Sequence, residues 1–197
     1  MEEAMSEDVQ NEAVTTRGTV HTSLMAAMIA CGAYIVIPVG PVPVVLQNFF
    51  VLLAGLLLGP VRAAAAMGVY YLAGIAGAPV FSGGGAGWSH FLGPTGGYLL
   101  GYLPAVVIVG IFARLGARVN RGPGMQAAFD AMGMILGMAA VYGMGVPWLA
   151  HVANLPAERA IQLGLWPFVG FDALKIVAAL PVAASVRRTW IRMGWQM

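Results

Sequence analysis

Six apolar segments, at about 22–38, 44–59, 61–77, 97–114, 126–149 and 165–186, follow one another with scarcely a charge inside them. A backbone in hydrocarbon must satisfy its own N–H and C=O groups, which restricts spanning segments to helices or a closed barrel. These stretches suit helices, since a hydrocarbon core about 30 Å thick takes about 20 residues. Only 9% of the chain is charged, against about a quarter in an average soluble domain. The mean hydropathy is +0.81. The expected fold is an all-α integral membrane protein, a six-transmembrane-helix bundle in the lipid bilayer.

Proline, glycine or arginine punctuates the gaps, as in "PVGPVPV" (38–44) and "GPVR" (59–62). Little chain is left for a soluble domain. Residues 1–19, with Glu2, Glu3, Glu7, Asp8 and Glu12, read as a cytoplasmic acidic tail. Residues 20–188 form the membrane domain and 189–197 a cytoplasmic C-terminal tail. A net charge of +2 without a basic run gives no reason to expect a nucleic-acid partner. The single cysteine, Cys31, excludes an intrachain disulfide and any cysteine-based metal cluster. It reads as a small buried thiol in a helix, and neither a metal site nor a cofactor is expected.

Orientation follows from the arginines. With the N-terminus inside, the cytoplasmic face receives Arg17, Arg62, Arg114, Arg118, Arg121, Arg187, Arg188 and Arg192, and the outer face only Arg159. Both termini are therefore expected to be cytoplasmic, with the loop between helices 3 and 4 extracellular. Asp130 falls near the inner start of the fifth span, where a carboxylate suits the positive end of a helix dipole.

Within the last apolar segment, "FDALKIV" (171–177) holds Asp172 and Lys175, the only lysine of 197 residues. At i and i+3 they share one helix face, about 8 and 12 Å below the outer start of the helix at 1.5 Å per residue. A charge at bilayer depth costs about 2.5–3.5 kcal/mol on insertion scales and usually faces a cavity or the bundle interior. Two readings stand: a helix-internal ion pair, or a polar ligand site opening outward. Asp172 would then accept from a ligand N–H and Lys175 donate to a ligand oxygen. Gln47 and Asn48 fall at similar depth in the second span, as ligand contacts or as interhelical hydrogen bonds.

The stretch "GAPVFSGGGAGWSHFLGPTGGYLLG" (77–101) is dense in glycine and lacks Asp, Glu, Lys and Arg. Glycines such as Gly85 let backbone approach a ligand closely, and Trp88, Phe91 and Tyr98 add flat apolar faces. The segment reads either as a flexible exposed loop or as the cover of a pocket. It is not a nucleotide loop, having no G-x-x-x-x-G-K-[ST]. Nor does the chain carry H-E-x-x-H, G-x-S-x-G or paired carboxylates on one helix, so an enzyme is not expected.

At "GPTGGYLLGYLP" (93–104), "PVPVVLQ" (41–47), "GLLLGP" (55–60) and "DALK" (172–175), the chain resembles the BioY family, the biotin-specific S components of energy-coupling factor (ECF) transporters. The likeness runs over residues 20 to 188 or so. It implies six helices with both termini inside, and a bacterial or archaeal plasma membrane. It implies high-affinity biotin capture from the outer side, with biotin as transported ligand. Asp172 and Lys175 would meet the ureido ring, and Gln47, Asn48, Gly85, Trp88, Ser89, Phe91 and Tyr98 complete the candidate site. Backbone N–H groups, Asn48, Ser89 or His90 are left to receive the ligand carboxylate. The resemblance also implies partners, a transmembrane coupling subunit and ATP-binding subunits. Ala26-x-x-x-Ala30 is a small-residue stripe that would let a partner helix dock, or serve ordinary packing. The alternatives are an S component for another vitamin or a proton- or ion-coupled carrier, acting alone or as a homo-oligomer.

Overall fold

The computed structural model describes residues 2–119 and 122–193. Arg121 and the last four residues of the expected C-terminal tail lie outside the described residues. The fold is predominantly helical. Helix α1 (Glu2–Tyr34) carries the expected acidic tail and the first apolar segment as one element. A two-residue ladder follows, β1 (Val36–Ile37) paired antiparallel with β2 (Val44–Val45). Apart from an isolated bridge between Phe81 and Gly85, it is the only departure from helix and loop among the described residues. Then come α2 (Gln47–Ile75), a short helix α3 (Ser89–Leu92) within the glycine-rich segment, α4 (Gly96–Val119) and α5 (Pro123–Val152). An eight-residue α6 (Ala157–Gly164) leads into α7 (Trp166–Arg192).

Among the described residues, four helical stretches are long and apolar enough to cross a membrane: Gln47–Ile75, Gly96–Val119, Pro123–Val152 and Ala157–Arg192. Their outward residues are greasy. Leu72, Leu174 and Val177 are 64–70% exposed, which suits lipid and not water. The chain is a multi-pass membrane protein.

Helix α2 is not one straight rod. In a straight helix, residues 47 and 70 would stand about 34 Å apart, yet the Gln47 amide donates to the Tyr70 hydroxyl at 2.8 Å. The chain doubles back at Gly59, whose backbone is left-handed (φ 72°, ψ 177°), a conformation that glycine adopts without a Cβ penalty. Pro60 follows. It has no N–H, so the carbonyl of Leu56 loses its ordinary helical partner. An unsatisfied carbonyl in a membrane costs several kcal/mol. The Arg187 guanidinium fills the gap from α7, donating to the Leu56 carbonyl at 2.7 Å.

Small residues bring the rods together, as expected where lipid removes the hydrophobic drive between helices. A Cβ on Gly110 of α4 would lie 2.4 Å from the Pro60 nitrogen, and one on Gly101 would lie 2.8 Å from Val141 Cα of α5. Helix α4 is thereby seated between α2 and α5, its two main neighbours. Helix α1 packs on α2. Cys31 is exposed on α1, not buried as the sequence suggested, because the inward face of that helix is taken by Met25, Ala26, Ile29 and Ala33.

Candidate ligand-binding site

A pocket opens where α2 begins, with about 480 Å³ of space that includes adjoining solvent. Gln47 and Asn48 line it from the first turn of α2, Tyr98 from α4 and Asp172 from α7. The lip is Val42, Pro43 and Val45, and Phe168 and Leu99 supply apolar wall. No arginine or lysine is on the wall among the described residues.

The polar wall is a connected network. Lys175 Nζ donates to Asp172 Oδ1 at 2.7 Å and to the Val45 carbonyl at 2.8 Å. Asp172 is 3% exposed and Lys175 9%. Two of the three ammonium protons are thus committed, and Lys175 stands behind the carboxylate instead of on the cavity surface. Asn48 Nδ2 approaches the same Oδ1 at 3.4 Å. The Tyr142 hydroxyl donates to Asp172 Oδ2, and the Tyr102 hydroxyl donates to Asn48 Oδ1 at 2.5 Å. The surrounding donors supply hydrogen bonds to both carboxylate oxygens, which an apolar setting would otherwise leave without partners. Asp172 is therefore both ion-paired within its helix and presented to a void.

The aromatic candidates of the glycine-rich segment divide. Tyr98 is on the wall, with its hydroxyl donating to the Gly164 carbonyl at 2.7 Å. Phe91 is buried but packs edge-on against Tyr71 and Phe81, away from the cavity. Trp88 is 60% exposed and stacks on Phe91. Ser89 is exposed. Gly85 pairs with Phe81 through a backbone bridge, and a Cβ there would lie 2.4 Å from His90 Nδ1. Together these residues form a plug beside the cavity, while Ser82, His90 and Thr95 of the same segment line it. His90 stacks on Phe81 with centroids 5.0 Å apart, and burial holds its pKa below the ordinary value. The Tyr34 hydroxyl donates to the Pro79 carbonyl, tying the end of α1 to this plug.

Tyr102 and Tyr142 were not singled out from sequence. Tyr102 carried one usable signal, being four residues after Tyr98 and so on the same helical face. Tyr142 carried none, since a lone tyrosine in an apolar helix looks like ordinary packing. Ala26 is 5% exposed and sits in the bundle core, with Ala30 packed against that core. The stripe is thus used inside this chain. Among the described residues no group of three or more His, Cys, Asp or Glu is placed to hold a metal.

The BioY family model matches residues 5–192. The chain belongs to the BioY family. It is 35% identical over 84% of its length to the "Probable biotin transporter BioY" of Pyrococcus horikoshii, covering 93% of that protein. It is 34% identical over 87% of its length to the "Biotin transporter BioY" of Thermotoga maritima, covering 96% of that protein. Among solved structures it resembles the crystal structure of the S-component for biotin from an ECF-type ABC transporter. The TM-score is 0.79 at 27% identity, with 88% of this chain and 92% of that chain covered. This BioY member is a transport protein and not an enzyme.

Proposed function

We propose that this BioY protein binds biotin and mediates its uptake, taking the ligand into the cavity beneath the plug. The observation that carries the reading is a buried carboxylate presented to a pocket, beside an amide and two phenols. A urea has two N–H donors and one carbonyl acceptor, and this wall offers both complements. Phe168, Leu99 and the lip suit the apolar remainder of the ligand. For the ligand carboxylate, His90 and Thr95 on the cavity wall are the side chains favoured by placement.

The bundle spans the membrane six times in this reading, counting α1, the two arms of α2, α4, α5 and α7. The arms of α2 are about 18 and 24 Å long, so each is a short crossing. Arg62, Arg114 and Arg187 gather near the Gly59 reversal or beside it, at the end away from the cavity. The positive-inside rule then makes that end cytoplasmic and the cavity end external, in a bacterial or archaeal plasma membrane. An ECF coupling subunit and ATP-binding subunits supply the energy, since this sequence carries no Walker motif.

Calorimetry on the purified protein tests the reading. Saturable heat with biotin is expected. Binding of riboflavin or thiamine with no response to biotin would transfer the chain to a different vitamin.

A further inference from the structure

We propose that Tyr102 is a positioning residue. It holds the Asn48 amide with its NH2 end toward Asp172, and this sense of hydrogen bonding selects a cyclic urea over a cyclic guanidinium. The inference rests on the biotin reading and adds a specificity rule to it.

An asparagine amide is nearly symmetric in shape but not in chemistry, with two donors at one end and an acceptor at the other. Asp172 favours this sense, because a flipped amide would set two oxygens against each other at 3.4 Å. That contact is long and weak for a hydrogen bond. The short contact is the other one, Tyr102 Oη to Asn48 Oδ1 at 2.5 Å, between groups that are both buried. The phenol therefore anchors an amide that the carboxylate orients only loosely.

What the wall offers a guest follows by accounting. Asp172 Oδ1 already accepts from Lys175 and Asn48, whereas Oδ2 accepts only from Tyr142. One lone pair on Oδ2 and one on each phenol oxygen remain as acceptors. Within the Asp172 network the second N–H of Asn48 remains as the donor. Acceptors for N–H groups with one donor for a carbonyl complement a urea. A guanidinium has only donors, so it would oppose the Asn48 N–H and leave it unpaired, a buried mismatch that costs more than a missing bond. Without the Tyr102 hydroxyl, only the long contact with Asp172 still orients the amide, which can then turn and present Oδ1 to such a guest.

The test compares biotin with its 2-imino analogue, in which a cyclic guanidinium replaces the urea, by titration calorimetry on wild type and Tyr102→Phe. The wild type is expected to prefer biotin. In Tyr102→Phe the preference should fall about tenfold, the worth of one buried hydrogen bond. An unchanged ratio beside normal biotin binding overturns the inference and leaves the biotin reading standing. A wild type that binds neither ligand overturns both. If Tyr102→Phe is not recovered folded, Asn48→Leu decides. A similar fall supports the role of the held amide, and a ratio equal to wild type overturns it.

Discussion

Asp172–Lys175 and Asp130–Arg187 are both buried carboxylate–cation pairs, and α7 contributes to each, near its two ends. They are built differently. Asp172 and Lys175 are three residues apart on one helix, so the pair by itself joins nothing. Its links to the rest of the bundle run through the Val45 carbonyl, Asn48 and Tyr142, and one face of it borders a cavity. Asp130 and Arg187 belong to α5 and α7, and the same guanidinium reaches the Leu56 carbonyl on α2. Gln126 closes that cluster, donating to Asp130 at 2.8 Å and to the Ala113 carbonyl of α4 at 3.2 Å. One pair is thus a presented surface and the other a cross-link of three helices. A buried ion pair seldom outperforms apolar residues of equal volume for stability. The intrahelical pair therefore has its reason in the void beside it, and the interhelical pair has its reason in the reversal of α2.

The largest effect that can separate the two is expected from Lys175→Ala. It leaves Asp172 buried without its counter-charge, a change worth about 3–5 kcal/mol. Biotin affinity should fall by a hundredfold to several thousandfold, by calorimetry, while the protein still inserts. Normal affinity would reduce the Asp172 pair to packing and erase the contrast.

Arg187→Met sharpens the comparison from the other side. Thermal stability in detergent should drop by about 3–5 kcal/mol, because Asp130 and the Leu56 carbonyl are both stranded. Biotin affinity of the surviving folded fraction should stay near wild type. Adding Asp130→Asn should restore part of the stability. A collapse of affinity as deep as in Lys175→Ala would show that the two ends act as one site.

The smallest effect concerns the plug. His90 has a pKa lowered by burial from its ordinary 6.5, so the folded plug favours neutral His90. Its contribution is full above pH 6.5 and is lost as pH falls below that value toward the lowered folded pKa. Amide protection factors in residues 81–92, exchange rates taken relative to the intrinsic rate at each pH, should therefore fall between pH 7 and pH 5, and His90→Gln should flatten that dependence. An equal loss of protection in both proteins would assign the change to another group.

The charge economy of the sequence made much of this legible. With only eight acidic residues and one lysine, a carboxylate and an ammonium three apart in an apolar run could be named before any fold was known. Asn48, Gln47 and Tyr98 followed because polar or aromatic groups at comparable depth are few. What stayed hidden depends on partners distant along the chain. Asp130 finds Arg187 across 57 residues, and no local pattern distinguishes that pairing from a dipole effect. The "GPVR" turn was visible, but not that a side chain from the last helix completes it. Trp88 and Phe91 misled for a physical reason. Aromatic rings near a pocket also satisfy one another: Trp88 stacks on Phe91, and Phe91 packs edge-on against Phe81.

The Leu56 carbonyl has a consequence for biogenesis. Its partner, Arg187, lies 131 residues further along the chain, on the last helix to be made. The hairpin at Gly59 is therefore provisional until α7 packs against it. A chain truncated before α7 would leave that carbonyl without the guanidinium that closes the reversal.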